Sequence, residues 1–295
     1  MSKQELNSIV EMLRDFTWGN TLTEMRSHFS EAFSLPPHPT AKIQSVNIEN
    51  MTAELISVPS ANPKQIILYL HGGGFVMGSC QTYRRIASDL AESSNANVLL
   101  IDYRLAPEHP YPAALEDTLA AYHWLLNSRG YQPNQVSIVG DSAGANLALG
   151  TMLSLQAAKK PLPSSVVLIS PYTDLTRTSK AIHTNADIDP MVSPHLLDIV
   201  TTFYTSSEDL TQPLLSPLYA DLSGLSPLLI HVGSAEILLD DALQLTRQAG
   251  LANVSVELKV WQNMIHCFHL FAPILSEGQV AIAEAGTFLK RHWSN

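Results

Sequence analysis

The segment Val139-Gly140-Asp141-Ser142-Ala143-Gly144 constrains this chain more than any other stretch, because it sets one serine between two glycines directly after an apolar run. Residues 135–139 predict a strand, and Ala145, Leu147, Ala148 and Leu149 predict a helix that starts at once. The turn between them must be so tight that the residues flanking the serine have to be tiny, which is the form of a nucleophile elbow. Such a turn pushes the Ser142 hydroxyl out at the strand's end. The following helix aims its first N–H groups at any anion forming there.

The surrounding chain has the pattern such a turn needs. Apolar runs at residues 65–70, 97–102, 136–139, 166–169, 228–232 and 256–260 are too short for helices, and helical stretches separate them. This alternation predicts an α/β fold with a mostly parallel central sheet covered by helices on both faces. Residues 43–48 and 53–58 alternate as two short strands, an antiparallel pair at a sheet edge. Before them, Leu6, Ile9, Val10, Leu13 and Phe16, then Leu22, Met25, Phe29 and Phe33, mark two amphipathic helices that either pack on the core or cover a pocket. The rigid break Leu35-Pro36-Pro37-His38-Pro39 divides residues 1–40 from a main domain at 41–295. Residues 172–226 are long for one connection and predict a functional insertion with one or two helices around His195 to Tyr204.

Composition narrows the function. With 295 residues and 45% apolar content the chain can bury a sizeable core. Its 17 basic against 27 acidic residues give a net charge of −10, which argues against nucleic acid as a partner. No apolar run approaches the ~20 residues that span a bilayer, and the N-terminus lacks the pattern of a secretory signal, so a cytoplasmic location without membrane insertion is expected. Cys80 and Cys267 have no disulfide or metal-site spacing and are expected to be free thiols.

Three groups elsewhere can work with Ser142. His71-Gly72-Gly73-Gly74-Phe75 follows the 65–70 strand, and successive glycines let a backbone gather its N–H groups into the concavity an oxyanion needs. Its spacing matches neither phosphate-binding glycine pattern, and no cofactor is implied. His266 stands in the loop after the 256–260 strand, where a base can be presented from a strand's carboxyl end; His269 is the competing candidate. The orienting carboxylate belongs between serine and histidine in the chain. Glu236 lies nearest the end of the 228–232 strand, whereas Asp240 and Asp241 have the position of helix N-terminal residues.

Together with Asp102-Tyr103-Arg104-Leu105-Ala106-Pro107-Glu108, these motifs resemble the hormone-sensitive-lipase-like family of α/β-hydrolases over residues 40 to 295. The resemblance implies Ser142 as nucleophile, His266 as base, Glu236 as acid, and Gly73, Gly74 and Ala143 as oxyanion donors. Many members carry aspartate at the acid position; here it is Glu236. Residues 1–40 and the 172–226 insertion would form a cap over the acyl pocket. The implied activity is a serine carboxylesterase acting on small short-acyl esters, with small lactones as the alternative substrate and a homodimer through an edge strand as the assembly. A catalytically silent small-ligand receptor is the reading from another class. It usually arises by loss of the histidine, which is present here. Asp102, Arg104 and Glu108 are expected to fix a loop through ion pairs, and Asp117 to be a structural charge.

Overall fold

The computed structural model describes residues 3–293. The apolar runs form one eight-stranded sheet from β1 (Lys42–Ile48), β2 (Met51–Ser57), β3 (Asn62–Leu70), β4 (Ala96–Ile101), β5 (Val136–Asp141), β6 (Val166–Ile169), β7 (Leu228–Gly233) and β8 (Val256–Trp261). Their order is β1-β2-β4-β3-β5-β6-β7-β8; the β1–β2 and β2–β4 pairs are antiparallel and the others parallel. Edge strand β1 carries mostly exposed and half-buried residues, whereas β5, β6 and β7 are buried throughout, as strands covered on both faces must be.

The helices are α1 (Lys3–Asp15), α2 (Leu22–Phe33), α3 (Cys80–Ser94), α4 (Ala113–Asn127), α5 (Ala143–Ala157), α6 (Ala181–Thr184), α7 (Pro194–Tyr204), α8 (Leu239–Leu251) and α9 (Ser276–His292). α3 packs against α9 and α4 against α5, while α8 lies along β7 and β8. Apolar on nearly every side, α5 is buried almost all round. None of the described helices is long and apolar enough to cross a membrane.

The predicted amphipathic helices correspond to α1 and α2, whose stripes bury Ile9, Leu13, Met25, Phe29 and Phe33. A capping box between Thr21 and Glu24 starts α2. Arg26 then fastens the helix to the loops after β3 and β4, donating to the carbonyls of Val76 (2.7 Å) and Ala106 (2.9 Å) and, through two nitrogens, to Glu108 (2.7 Å each). The ion pairs of the 102–108 segment therefore reach outward instead of closing on one another. Arg104 pairs with Asp117 and Glu116 on α4, and Asp102 accepts the N–H of Cys80 at 2.6 Å. Asp117 also takes the backbone N–H of Arg104 at 2.7 Å, so this charge holds the loop after β4 on α4.

Strand order runs one way from β3 through β4 and the other way through β5, which opens a crevice at the carboxyl ends of β3 and β5. Leu70 pairs with Gly140, so the glycine loop after β3 and the serine turn after β5 emerge side by side.

Candidate active site

Ser142 occupies the turn between β5 and α5 with φ +53° and ψ −117°, a conformation that costs an L-residue about 1–3 kcal/mol. Both flanking glycines are sterically required. A methyl at Gly140 would overlap the carbonyl oxygen of Gly144, and one at Gly144 would overlap the carbonyl oxygens of Leu70 and His71. Close approach of β5, α5 and the end of β3 is thus what permits the turn. Its backbone is fastened by the Ser142 N–H donating to Ile169 O at 2.8 Å.

The glycine loop is held from below. Asp141 accepts the Gly72 N–H (3.0 Å) and the Tyr69 hydroxyl (2.9 Å) on one oxygen and the Tyr83 hydroxyl (3.1 Å) on the other. Burial raises the Asp141 pKa to about 6, against the opposing pull of the two tyrosine hydrogen bonds. With Gly72 engaged, the N–H groups of Gly73 (φ +105°) and Gly74 (φ +61°) have no protein acceptor among the described residues. Ala143 N–H lies in the first turn of α5, where no intrahelical acceptor exists. Gly73, Gly74 and Ser142 line one cavity.

Glu236 follows β7 and His266 follows β8, and parallel pairing of those strands brings the two loops together. Glu236 Oε2 lies 2.7 Å from His266 Nδ1. Its Oε1 accepts from the Gly233 N–H (2.5 Å) and the Ser170 hydroxyl (2.8 Å). An ionised carboxylate only accepts, so Nδ1 carries the proton and Nε2 presents its lone pair. Burial works against the imidazolium, but the hydrogen bond and charge of Glu236, backed by the charges of Asp189 and Asp141, outweigh it. The pKa of His266 is held above its ordinary 6.5. Its Nε2 lies 3.3 Å from Cys267 Sγ, and Cys267 takes a left-handed backbone (φ +48°) while donating its N–H to Ser170 Oγ at 3.0 Å.

The competing residues are engaged elsewhere. Asp240 accepts the Lys180 N–H at 3.0 Å and the Gln244 side chain at 3.2 Å. Asp241 accepts the N–H groups of Thr173 and Asp174 at 2.9 and 3.0 Å. Both tie α8 to the 172–226 insertion. His269 is buried against His231, with ring nitrogens 3.1 Å apart, and desolvation holds its pKa well below the ordinary value. Cys80 is buried, its thiol donating to Leu100 O at 3.3 Å. Among the described residues no cluster of three or more His, Cys, Asp or Glu could hold a metal ion.

The shared cavity has a mainly apolar wall. Trp18 and Phe29 reach it from the N-terminal helical segment, Met191, Val192, Leu197 and Val200 from the insertion, and Ser142 and His266 from the sheet's carboxyl end. Val200 marks one limit: a Cβ on Gly74 would lie 2.7 Å from its Cγ1. Sequence reasoning missed Ser170, which bridges Glu236 to the Cys267 backbone. The signal available was a polar residue directly after β6, between the strands that carry Ser142 and Glu236.

A model of the α/β-hydrolase fold matches residues 67–270, and the chain belongs to that family. It is 40% identical over 245 residues to an acetyl-hydrolase of Streptomyces hygroscopicus, covering 83% of this chain and 81% of the relative. An esterase of Acinetobacter venetianus is 38% identical over 254 residues, covering 86% and 83%. Among solved structures, an esterase from the bacterial hormone-sensitive lipase family superposes with a TM-score of 0.96 at 40% identity over the whole of both chains. The esterase EstE5, soaked with p-nitrophenyl butyrate, does so with 0.95 at 38%, again over both whole chains. Within its family the chain is a carboxylic ester hydrolase of the hormone-sensitive-lipase branch.

Proposed function

We propose that the protein is a serine carboxylesterase for small esters with short acyl chains, working through an acyl-enzyme on Ser142. The observation that carries this reading is the buried 2.7 Å contact between Glu236 and His266 Nδ1, which leaves Nε2 as an acceptor in the cavity that Ser142 lines. His266 takes the Ser142 proton, and the serine oxygen attacks the ester carbonyl. Negative charge on the carbonyl oxygen is met by the N–H groups of Gly73, Gly74 and Ala143, each such donor worth about 3–4 kcal/mol of barrier. The imidazolium then protonates the departing alcohol as the tetrahedral carbon collapses. Water, deprotonated by the same Nε2, repeats the cycle and releases the acid.

Residues 1–40 and the 172–226 insertion act as the cap of the acyl pocket. Their apolar side chains on the cavity wall support that role, and Val200 against Gly74 favours short acyl chains. The test is hydrolysis of p-nitrophenyl esters from acetyl to palmitoyl by wild type and Ser142→Ala. Activity should peak at short chains and vanish in the variant. Binding without release of nitrophenol at any length would overturn the reading.

A further inference from the structure

Asp189 is a buried carboxylate in the insertion, distant in sequence from the three residues proposed to do the chemistry. Its Oδ1 accepts the backbone N–H groups of Met191 (2.9 Å) and Val192 (3.0 Å), two residues of the cavity wall. Its Oδ2 accepts the N–H of Ile237 at 2.9 Å, the residue directly after Glu236. Asn185, one turn earlier, spans the same gap, donating to the carbonyls of Ser234 (3.3 Å) and Glu236 (2.9 Å). A buried carboxylate engaged only by backbone N–H groups holds them at fixed separation; burial raises the Asp189 pKa, while the charge of His266 and these three hydrogen bonds favour its ionised form.

We infer that Asp189 is a positioning residue for ester hydrolysis, one carboxylate that fastens the Met191 and Val192 wall to the loop of Glu236 and adds its charge to the field at His266. The inference rests on the proposed Ser142–His266–Glu236 mechanism. Three carboxylates act on the imidazole: Glu236 from the loop after β7, Asp141 from the end of β5, and Asp189 from the insertion; the neighbouring Cys267 is a thiol held neutral by burial. Charge from Asp189 stabilises the imidazolium, the state His266 enters whenever it takes the serine proton. Its hydrogen bonds keep the acyl wall and the acid in register, and misplacement of about 1 Å at such a site can cost about 10²-fold in rate.

The test compares Asp189→Asn with Asn185→Ala in the full chain, with active sites counted by a serine-directed phosphonate. In D189N the amide NH₂ must face either Ile237 N–H or the Met191 and Val192 N–H pair, so one set loses its acceptor and the charge is gone. The expected result is a kcat lowered about tenfold or more, relaxed discrimination between butyrate and longer esters, and an acid limb of kcat/KM moved to lower pH. The sign follows from the charge: without it the imidazolium is less favoured, and His266 stays a neutral base further into acid. N185A loosens the same loops but keeps the charge, so its acid limb should stay with wild type. An acid limb that D189N leaves in place, or that N185A moves equally, overturns the inference. Should D189N not fold, Asp189→Ser serves as the uncharged variant. Failure of both to fold would make Asp189 a purely structural carboxylate and overturn it too. An inactive wild type, or an active Ser142→Ala, would instead refute the mechanism on which the inference stands.

Discussion

Replacing Glu236 by glutamine changes one atom, and the consequence can be worked from the contacts around it. Oε1 meets two donors, the Gly233 N–H at 2.5 Å and the Ser170 hydroxyl at 2.8 Å, while Oε2 meets His266 Nδ1 at 2.7 Å. The hydroxyl can rotate, but a backbone N–H cannot, so an amide NH₂ facing Gly233 would oppose donor to donor at a buried site. The amide therefore turns its oxygen to Gly233 and its NH₂ to His266. Nδ1 must then accept, and the imidazole carries its proton on Nε2, the atom that takes the proton of Ser142 in the proposed mechanism. A triad forced into this tautomer loses about ten thousand-fold in kcat, or ~5 kcal/mol of transition-state stabilisation. Initial rates on p-nitrophenyl butyrate, with active sites counted by titration, measure it. Asp240→Asn is the matched comparison, because Asp240 binds Lys180 and Gln244 and should lose little activity. Glu236→Gln within tenfold of wild type would refute both the tautomer argument and the assignment of the acid.

Three further outcomes follow from the same geometry. Because the His266 pKa is raised above 6.5 and the base must be neutral, kcat/KM should fall with acid through a midpoint above 6.5; a midpoint below 6 would contradict the balance of charges around the ring. Burial and neighbouring acids raise the Asp241 pKa to about 8 from 3.8, so its stabilising effect is complete below about 3.8 and is lost as pH rises through about 8. Asp241→Asn keeps an acceptor for Thr173 and Asp174, and its melting temperature should exceed that of wild type increasingly between pH 5 and 8, as melts at each pH would show; parallel curves would refute the linkage. Burial and the charges of Asp141 and Glu236 hold the Cys267 thiol protonated, so activity should survive iodoacetamide at pH 7.5, where only thiolate reacts. Loss of activity as fast as a free thiol is alkylated would show a thiolate that these contacts do not permit.

Which parts of the site could be read from sequence follows from how a parallel sheet delivers residues. All its strands end at one side, so a residue just past a strand is placed as soon as the strand is recognised. Ser142, Glu236 and His266 stand in the turn or loops after β5, β7 and β8, and Gly73 and Gly74 just past β3. Short apolar runs bounded by turns mark those strands, and nearness to the end of the 228–232 strand favours Glu236 over Asp240, which has the position of a helix N-terminal residue. Ser170 has the same kind of position, after β6, yet a serine in a loop has no chemical signature until β6 is known to lie between β5 and β7. The outward ion pairs of Arg104 and Glu108 were hidden for a similar reason, since Arg26 and Asp117 are neighbours only after the helices are packed.

Asp189 was the least legible, because residues 172–226 have little periodicity and nothing in their composition indicates where the chain returns to the sheet. The folded chain shows the return to be specified by acids at both ends: Asp240 and Asp241 at the start of α8 hold the backbone of 173–180, and Asp189 holds that of Ile237. Of these contacts, those of Asp189 join the cavity wall, at Met191 and Val192, to the segment that carries Glu236. A change in the insertion that alters acyl preference would therefore be transmitted to the proposed acid and base. On the proposed mechanism, substrate range and base strength would be coupled through hydrogen bonds to backbone, which sequence patterns do not record.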